Sequence, residues 1–339
     1  MVVRRCLSET GLLLLVLLTS CGGIPLKHSS AHGERGAERP TGFGGFDRDD
    51  AEVYLNFSRI AYCEDGMIED WSCKICQDMR GFQTYFVNAE KLVSRHVGVF
   101  VGYYEPLNTA VVSFRGTDYL INWVQDLEYY KVDTKFSACD SADDGRQRHH
   151  HCRVHSGFFQ DWQSVKMNVF NATTAVLKDH PDSAMMVTGH SLGAALAALC
   201  SLELSMLFNR TDIGLYSFGE PRVGNKFFAD FFAERVPRTS RIVHQDDVVP
   251  HLPPQGKGVF LLTDFHHHPT EIWQTGSKDD DFVICDQTGE DPKCSNSLPQ
   301  WDRSIEAHLW YLGFPIHCDG IRHVAKKRPN DSASDSRST

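Results

Sequence analysis

The sequence has little positive charge, and after its first twenty residues it has no long apolar run. Its 339 residues include 34 Lys and Arg against 44 Asp and Glu, which gives a formal net charge of −10. Such an acidic chain is a poor ligand for the phosphates of a duplex, so we expect no nucleic-acid partner. No segment beyond the N-terminus is long and apolar enough to cross a bilayer, so we expect no transmembrane segment.

The sequence also lacks an internal repeat and a linker that would divide it. Hydrophobic residues make up 41% of the chain and charged residues 23%, which is typical of a soluble globular protein. We therefore predict one folded domain over residues 46–324 and expect a monomer. Residues 21–45 are predicted to be a flexible N-terminal segment or propeptide, and residues 325–339 a disordered tail.

The N-terminus and the cysteine content favour secretion. Arg4 and Arg5 precede an apolar run over residues 12–18 and then small residues, the layout of a signal peptide over residues 1–20. Eleven cysteines indicate an oxidising compartment. A bacterial lipoprotein with its lipid on Cys21 is an alternative, but N-x-[ST] sequons favour a secreted eukaryotic protein. The candidate glycosylation sites in the domain are Asn56, Asn171 and Asn209, and a further sequon at Asn330 lies in the tail.

Strand and helix patterns alternate along the predicted domain. Two β-branched runs separated by a turn signal predict a hairpin of residues 97–103 and 109–114. Further strands are predicted at residues 184–188, 213–218 and 240–244, and helices at residues 53–61, 158–180, 191–208 and 225–235. Short buried strands alternating with helices predict the α/β class, with a mostly parallel sheet covered on both faces.

The strongest local signal is the pentapeptide Gly-His-Ser-Leu-Gly at residues 189–193. It lies between a predicted strand and an Ala-rich helix, which is the context of a nucleophile elbow. The sharp turn would raise the Ser191 hydroxyl above the sheet, and the helix N-terminus would supply N–H groups for an oxyanion. We predict that Ser191 is a nucleophile; the alternative is a plain Ser/Gly turn.

A serine nucleophile needs a base and a carboxylate, which follow it in the order Asp then His in such folds. Asp246 and Asp247 both come just after the predicted strand at residues 240–244, and spacing does not choose between them. The candidate bases downstream are His251, His266, His267, His268, His308, His317 and His323. Spacing does not select one of these either.

Five motifs occur in the order found in the fungal-type class 3 lipases of the α/β-hydrolase superfamily. They are F-R-G-T at residues 114–117, G-H-S-L-G at 189–193, P-R-V-G-N at 221–225, D-V-V-P-H-L-P-P at 247–254 and H-L-W-Y-L-G at 308–313. The chain resembles this family over about residues 50–320. The resemblance implies an α/β-hydrolase fold with a short lid helix, and it selects Asp247 as the acid and His308 as the base.

The resemblance implies acyl transfer without a metal or an organic cofactor. His308 would take the proton of Ser191 as the serine attacks an ester carbonyl, and Asp247 would orient the imidazole. The backbone N–H groups of Thr117 and Leu192 would form the oxyanion hole.

An apolar stripe follows Thr117 at the spacing of one helix face. It consists of Leu120, Trp123, Val124 and Leu127. A stripe of this kind usually faces a core. In the family this position is the lid, which covers the site in water and opens at a lipid surface. We therefore expect reversible contact with a lipid–water interface.

The resemblance also implies the disulfide pairs Cys63–Cys318, Cys73–Cys76 and Cys139–Cys152. A fourth pair, Cys285–Cys294, and a buried free thiol at Cys200 complete the expectation. Zinc binding at the C-x-x-C of residues 73–76 is disfavoured because no second C-x-x-C completes a site.

Two histidine clusters suggest a rival function, a His-rich metal-binding protein. They are residues 149–151 with His155, and residues 266–268. Consecutive residues cannot all face one ion, and no carboxylate falls at metalloprotease spacing, so we predict no metal.

The combined prediction is a secreted, extracellular serine carboxylic-ester hydrolase, a triacylglycerol lipase acting on a lipid or ester substrate. Alternatives on the same scaffold are a phospholipase, a galactolipase or a feruloyl-type esterase. An alternative from another class is a noncatalytic lipid-binding protein, which loss of a triad or oxyanion residue would favour.

Overall fold

The computed structural model describes residues 46–88, 97–134, 136, 139, 151–255, 264–276 and 281–318. The predicted signal peptide, N-terminal segment and tail lie outside the described residues, as do Cys21, His149, His150, His323 and Asn330. Within the described part of the chain, no helix has both the length and the apolarity that crossing a membrane requires.

The helices are α1 (Arg48–Ile60), α2 (Asp65–Glu69), α3 (Lys74–Asp78), α4 (Leu120–Asp126), α5 (Ser156–Asp179), α6 (Leu192–Leu207) and α7 (Lys226–Arg235). The strands are β1 (Phe82–Val87), β2 (Val99–Tyr104), β3 (Thr109–Phe114), β4 (Lys131–Asp133), β5 (Arg153–His155), β6 (Ala184–His190), β7 (Gly214–Phe218), β8 (Arg238–His244), β9 (Glu271–Gln274), β10 (Phe282–Ile284), β11 (Trp310–Tyr311) and β12 (Phe314–Pro315).

Eight strands form one sheet in the order β1-β2-β3-β6-β7-β8-β9-β10. The five strands from β3 to β9 in this order run parallel, whereas β1, β2 and β10 pair with their neighbours in antiparallel fashion. The predicted hairpin is β2 and β3, paired from Val99 opposite Phe114 to Tyr104 opposite Thr109. The predicted α/β class with a mostly parallel sheet is confirmed.

Helices cover both faces of the sheet because successive strand residues point to opposite sides. Val112, Val187 and Leu215 belong to the hydrophobic cluster that includes residues of α5, α6 and α7. Their strand neighbours Val111 and Met186 belong to a separate cluster that includes α1. The inner strands therefore lack a polar face, as a parallel sheet buried on both sides requires.

The segment from β6 into α6 lies at the centre of this arrangement. Residues 185–191 are all buried, and α6 is buried over nearly its whole circumference, with side chains from Gly193 to Ser205 inside. A helix surrounded on all sides must be apolar all round, which explains its Ala- and Leu-rich sequence. The residue at the β6–α6 junction is thus held between a strand and a helix that are both almost fully buried.

Four disulfides join the three pairs that the resemblance implied and the fourth expected pair: Cys63–Cys318, Cys73–Cys76, Cys139–Cys152 and Cys285–Cys294. The first closes a sequence separation of 255 residues and ties the chain just after α1 to the last described residue. Cys200 in α6 is a buried free thiol.

Candidate active site

Ser191 occupies a strained turn between β6 and α6. Its backbone has φ 59° and ψ −128°, a conformation that non-glycine residues rarely adopt. The turn is possible only because its neighbours have no side chain: a Cβ at Gly189 would lie 2.4 Å from the Gly193 carbonyl oxygen, and one at Gly193 would lie 2.4 Å from the Phe114 carbonyl oxygen. The sequence therefore specifies this geometry through the two glycines of the pentapeptide.

The elbow is anchored to the neighbouring strand. The backbone N–H of Ser191 donates to the carbonyl of Phe218, the last residue of β7, over 2.9 Å. Gly219 follows at φ 61°, and a Cβ added there would lie 2.6 Å from Cε1 of His308. The segment that holds the serine backbone thus also contacts the imidazole of His308.

His308 and Asp247 form a buried pair. Nδ1 of His308 lies 2.7 Å from Oδ2 of Asp247, and both side chains are fully buried. Because a carboxylate only accepts hydrogen bonds, Nδ1 carries the hydrogen and Nε2 is left with its lone pair. The N–H of Val249 donates to the other carboxylate oxygen over 2.8 Å.

The hydroxyl of Ser191 and Nε2 of His308 share a further property. Both atoms are buried, and neither has a hydrogen-bond partner among the residues that the structure describes. A buried hydroxyl and a buried basic nitrogen left without partners are costly for folding and suited to proton transfer when substrate binds.

The candidate oxyanion residues lie beside the elbow. A Cβ added at Gly116 would lie 3.0 Å from Cβ of Ser191, which places the backbone just before Thr117 against the serine. Leu192 is the first residue of α6, where backbone N–H groups have no acceptor within the helix. The Thr117 hydroxyl accepts a hydrogen bond from the N–H of Tyr119 over 3.2 Å.

The predicted lid residues lie on and next to α4. Leu120 is buried, Trp123 and Val124 are half-buried, and Leu127 caps the C-terminus. The ring of Trp123 stacks on Phe158 of α5 with centroids 6.2 Å apart. The apolar stripe therefore packs against the protein, while Ile121 on the same helix is 41% exposed.

The structure distinguishes the candidates that the residue pattern left open. Asp247 rather than Asp246 hydrogen-bonds to His308, and the backbone carbonyl of Asp246 instead accepts from the N–H of Ser304. The histidines at residues 266–268 form hydrogen bonds elsewhere. Nε2 of His266 bonds to the Thr288 carbonyl, and Nε2 of His267 bonds to the Pro250 carbonyl. Nε2 of His268 bonds to the Glu220 carboxylate. His251 is buried after the segment that bears Asp247, and His317 precedes the disulfide at Cys318.

The histidines of the rival metal hypothesis also have structural contacts. His155 caps α5, with Nδ1 accepting from the N–H of Phe158, and its Nε2 contacts the Glu128 carbonyl. Burial lowers the pKa of His155 to about 4, so the ring is neutral in the folded protein. The three histidines at residues 266–268 bond in three different directions, as noted above, which suits packing rather than convergence on one ion.

Two contributors to the site lie inside the quoted motifs but were not assigned a role from the sequence. Tyr311, three residues after His308, donates its hydroxyl to Oδ2 of Asp247. Burial and the neighbouring Asp247 carboxylate raise the pKa of Tyr311 well above its ordinary value, so the hydroxyl keeps its hydrogen. The motif spacing contained the signal, because residue 311 is fixed relative to residue 308.

The second contributor to the site is Arg222 of the P-R-V-G-N motif. Its guanidinium donates to the carbonyls of His251 and Pro253 and pairs twice with the Glu290 carboxylate at 2.7 and 2.8 Å. Burial alone would raise the pKa of Glu290, but the Arg222 charge together with the hydrogen bonds from Arg222, the His267 N–H and Asn296 outweighs burial and lowers that pKa to about 2. Arg222 therefore braces the segment that follows Asp247.

A serine at a strand–helix elbow beside a buried His–Asp pair on an α/β sheet defines the α/β-hydrolase class, here a carboxylic-ester hydrolase. Residues 111–257 match the family model described as lipase (class 3). Over these residues the chain is similar to the class 3 lipases.

The individual similarities extend over most of the domain. The chain is 28% identical over 296 residues to a secreted mono- and diacylglycerol lipase of Fusarium solani, covering 84% of this chain and 82% of that protein. It is 28% identical over 270 residues to a lipase of Rhizomucor miehei, covering 77% and 67%. Among solved structures, lipase II from Rhizopus niveus superposes with a TM-score of 0.69 at 26% identity, covering 81% of this chain and 97% of that one.

Proposed function

We propose that Ser191, His308 and Asp247 act as nucleophile, base and acid in the hydrolysis of acylglycerol esters. The observation that carries this proposal is the buried hydrogen bond between His308 Nδ1 and Asp247, which leaves Nε2 basic beside the elbow. Nε2 accepts the Ser191 proton as Oγ attacks the ester carbonyl carbon. The same proton then passes to the leaving alcohol, and water hydrolyses the acyl-enzyme by the reverse sequence.

The developing oxyanion needs donors on the side of the carbonyl away from the base. The backbone N–H groups of Thr117 and Leu192 are proposed for this role, since both positions adjoin the serine. Loss of one such donor typically costs a factor of about 10² to 10³ in turnover.

The substrate proposed is a triacylglycerol presented at a lipid–water interface. In support, the solved relatives include a protein titled as a triacylglycerol lipase, at 27% identity and a TM-score of 0.68, with 79% of this chain and 95% of that chain covered. The Fusarium relative is named for mono- and diacylglycerols, so partial glycerides are the second candidate. Initial rates on emulsified tri-, di- and monoacylglycerol, phospholipid and galactolipid, at equal interfacial area, separate these.

Reversible contact with the interface is proposed for two reasons. Ser191 is 1% exposed and His308 is fully buried, so an ester reaches them only after a covering segment moves. The candidate segment is α4, which directly follows the proposed oxyanion residue. In addition Trp301, on the loop that leads to His308, is 85% exposed, and indole side chains favour the boundary between water and lipid.

Secretion, a signal peptide over residues 1–20, the domain limits 46–324 and a monomeric state are proposed together with this function. The similarity to a secreted lipase supports an extracellular location. Of the proposed glycosylation sites, the side chains of Asn171 and Asn209 are exposed and that of Asn56 is half-buried.

The decisive experiment replaces the nucleophile. Ser191→Ala should abolish hydrolysis of both p-nitrophenyl butyrate and emulsified trioleoylglycerol, with an unchanged circular dichroism spectrum. The matched control is Ser201→Ala, a buried serine on the same helix whose hydroxyl bonds only its own helix backbone at Ala198. Retained hydrolysis in Ser191→Ala, or wild-type protein that binds lipid without hydrolysing any ester, would overturn the proposal.

A further inference from the structure

A chain of hydrogen bonds at the elbow joins three segments that are distant in the sequence. The Tyr62 hydroxyl lies 2.7 Å from Nδ1 of His190, and Nε2 of His190 lies 2.9 Å from the backbone carbonyl of His308. The Tyr62 hydroxyl also lies against the backbone of Gly116. The chain therefore runs from a contact with the residue before Thr117, through the residue before Ser191, to the proposed base.

The donors and acceptors in this chain have a unique assignment. The carbonyl of His308 can only accept, so Nε2 of His190 carries the hydrogen and Nδ1 is an acceptor. The Tyr62 hydroxyl must then donate to Nδ1. Burial and the proximity of His308 lower the pKa of His190 well below its ordinary value, which keeps its ring neutral as this arrangement requires.

The surroundings leave little freedom to these groups. His190 is 2% exposed, and its ring centroid lies 4.3 Å from that of His308. A Cβ added at Gly116 would lie only 2.2 Å from the Tyr62 hydroxyl, so the oxyanion loop approaches the phenol as closely as a glycine allows. The next residue after Tyr62 is Cys63, which is tied covalently to Cys318.

We infer that Tyr62 and His190 are positioning residues that set the distances among the oxyanion loop, the nucleophile and the base. This inference rests on the proposed function of Ser191 and His308. Neither side chain touches the reacting atoms; each acts through backbone groups of Gly116 and His308. Since a misplacement of about 1 Å can cost about 10²-fold in rate, a bridge of this kind acts on turnover more than on substrate binding.

The test uses conservative variants of the full-length protein and a soluble ester, p-nitrophenyl butyrate. Tyr62→Phe removes only the hydroxyl, and we expect kcat to fall about 10-fold with KM changed less than 2-fold. His190→Leu removes both bonds, and we expect a fall of about 100-fold. His190→Gln keeps a donor that can reach the His308 carbonyl, and it should restore most of the activity lost in His190→Leu.

A transition-state analogue separates positioning from general loosening. The inhibition constant of an alkylboronic acid, which forms a tetrahedral adduct with the serine, should rise in parallel with the loss of kcat/KM. The double variant Tyr62→Phe/His190→Leu should be no slower than His190→Leu, because the chain is already broken. Tyr104→Phe is the matched control, a buried tyrosine in the hydrophobic cluster that includes α1.

The inference is overturned if Tyr62→Phe keeps wild-type kcat and boronate affinity, or if His190→Gln is as slow as His190→Leu, whatever the melting temperatures of these variants. It is also overturned if the losses in the double variant are additive. Failure of the proposed function is distinguishable, since in that case the wild-type protein itself shows no Ser191-dependent hydrolysis. If His190→Leu fails to fold, Tyr62→Phe decides the outcome.

Discussion

Tyr311 donates its phenolic hydroxyl to Oδ2 of Asp247, the same oxygen that accepts Nδ1–H of His308. One carboxylate oxygen in a fully buried position thus serves two donors. The shared oxygen divides its negative charge between the tyrosine and the imidazole, and this sets how strongly Asp247 stabilises a protonated His308.

Replacing Tyr311 by Phe tests whether sharing one Asp247 oxygen between Tyr311 and His308 affects catalysis. Without the tyrosine donor the carboxylate charge acts on the imidazole alone, so a protonated imidazole is stabilised more. We expect the acid limb of the kcat/KM profile to move to higher pH, and kcat to fall about 10-fold through loss of orientation. Tyr85→Phe is the control, because Tyr85 donates to a surface carboxylate, Asp179, over 2.8 Å. An unshifted limb in Tyr311→Phe would contradict the expectation.

Gly219→Ala should inactivate the protein more than it destabilises it. Its φ of 61° strains any side chain, and the new methyl would lie 2.6 Å from His308 Cε1 and 2.8 Å from the Tyr311 hydroxyl. The imidazole must therefore move, and we expect kcat to fall by about 10² or more. Gly66→Ala is the matched control, since an added Cβ there meets nothing within 4 Å. Near-normal kcat in Gly219→Ala would show that the base is not held where the geometry places it.

Trp123→Ala tests the lid. Wild-type protein should show a sharp rise in rate when a short-chain triacylglycerol exceeds its solubility, because α4 then exchanges its contact with Phe158 for the lipid surface. Loss of the indole should weaken both the packing of α4 over the site and its contact with lipid. The rise in rate above the solubility limit should therefore disappear, while hydrolysis of dissolved ester persists. Equal rates of the wild type below and above the solubility limit would count against a lid.

Trp301→Ser tests the second proposed contact with lipid. Removal of an 85%-exposed indole should reduce adsorption to phosphatidylcholine-coated triolein droplets several-fold and leave kcat/KM on dissolved p-nitrophenyl butyrate unchanged. Met167→Ser is the control, because Met167 is 63% exposed on α5. Equal adsorption of both variants and wild type, measured by droplet flotation, would exclude a role for Trp301.

The stability of the domain should depend on pH through His251. Burial, followed by the charges of Arg303 and Arg222, lowers the pKa of His251 to about 3 in the folded protein. An unfolded histidine titrates near pH 6.5, so between these values the unfolded chain binds a proton that the folded chain does not. The contribution of His251 to the free energy of unfolding should therefore be constant above pH 6.5. Below pH 6.5 it should decrease by about 1.4 kcal/mol for each unit by which the pH falls.

Urea denaturation of His251→Leu from pH 8 to pH 4 measures the effect. The slope of unfolding free energy against pH should decrease by about 1.4 kcal/mol per pH unit relative to wild type. The value at pH 8 serves as the control, because it reports the packing change without the titration. An unchanged slope would contradict a buried neutral His251.

The sequence was sufficient for features that depend on local pattern. The elbow was predictable because the two glycines around Ser191 have no other common reason to flank a serine between a strand and a helix. The parallel pairing of β6, β7 and β8 was predictable from short buried strands that alternate with helices. By contrast, the choice of Asp247 over Asp246 needed either a family resemblance or coordinates, since a one-residue shift reverses the direction of a side chain.

Contacts between distant segments were not predictable from the pattern. Tyr62 and His190 are 128 positions apart, and nothing in the periodicity of either segment indicates that they meet. The same holds for Arg222 and Glu290, which pair across 68 positions in the buried interior. Such contacts are products of tertiary packing, which local propensity does not encode.

The glycine pair of the elbow also determines where this scaffold can be engineered. Positions 189 and 193 accept only glycine, because a Cβ at either one would lie 2.4 Å from a backbone oxygen. We therefore expect variants with other residues at these two positions to misfold. Altered acyl-chain preference must therefore be sought in surface segments such as α4 and the loop bearing Trp301. Substitutions in those two stretches leave Ser191, His308 and Asp247 unchanged.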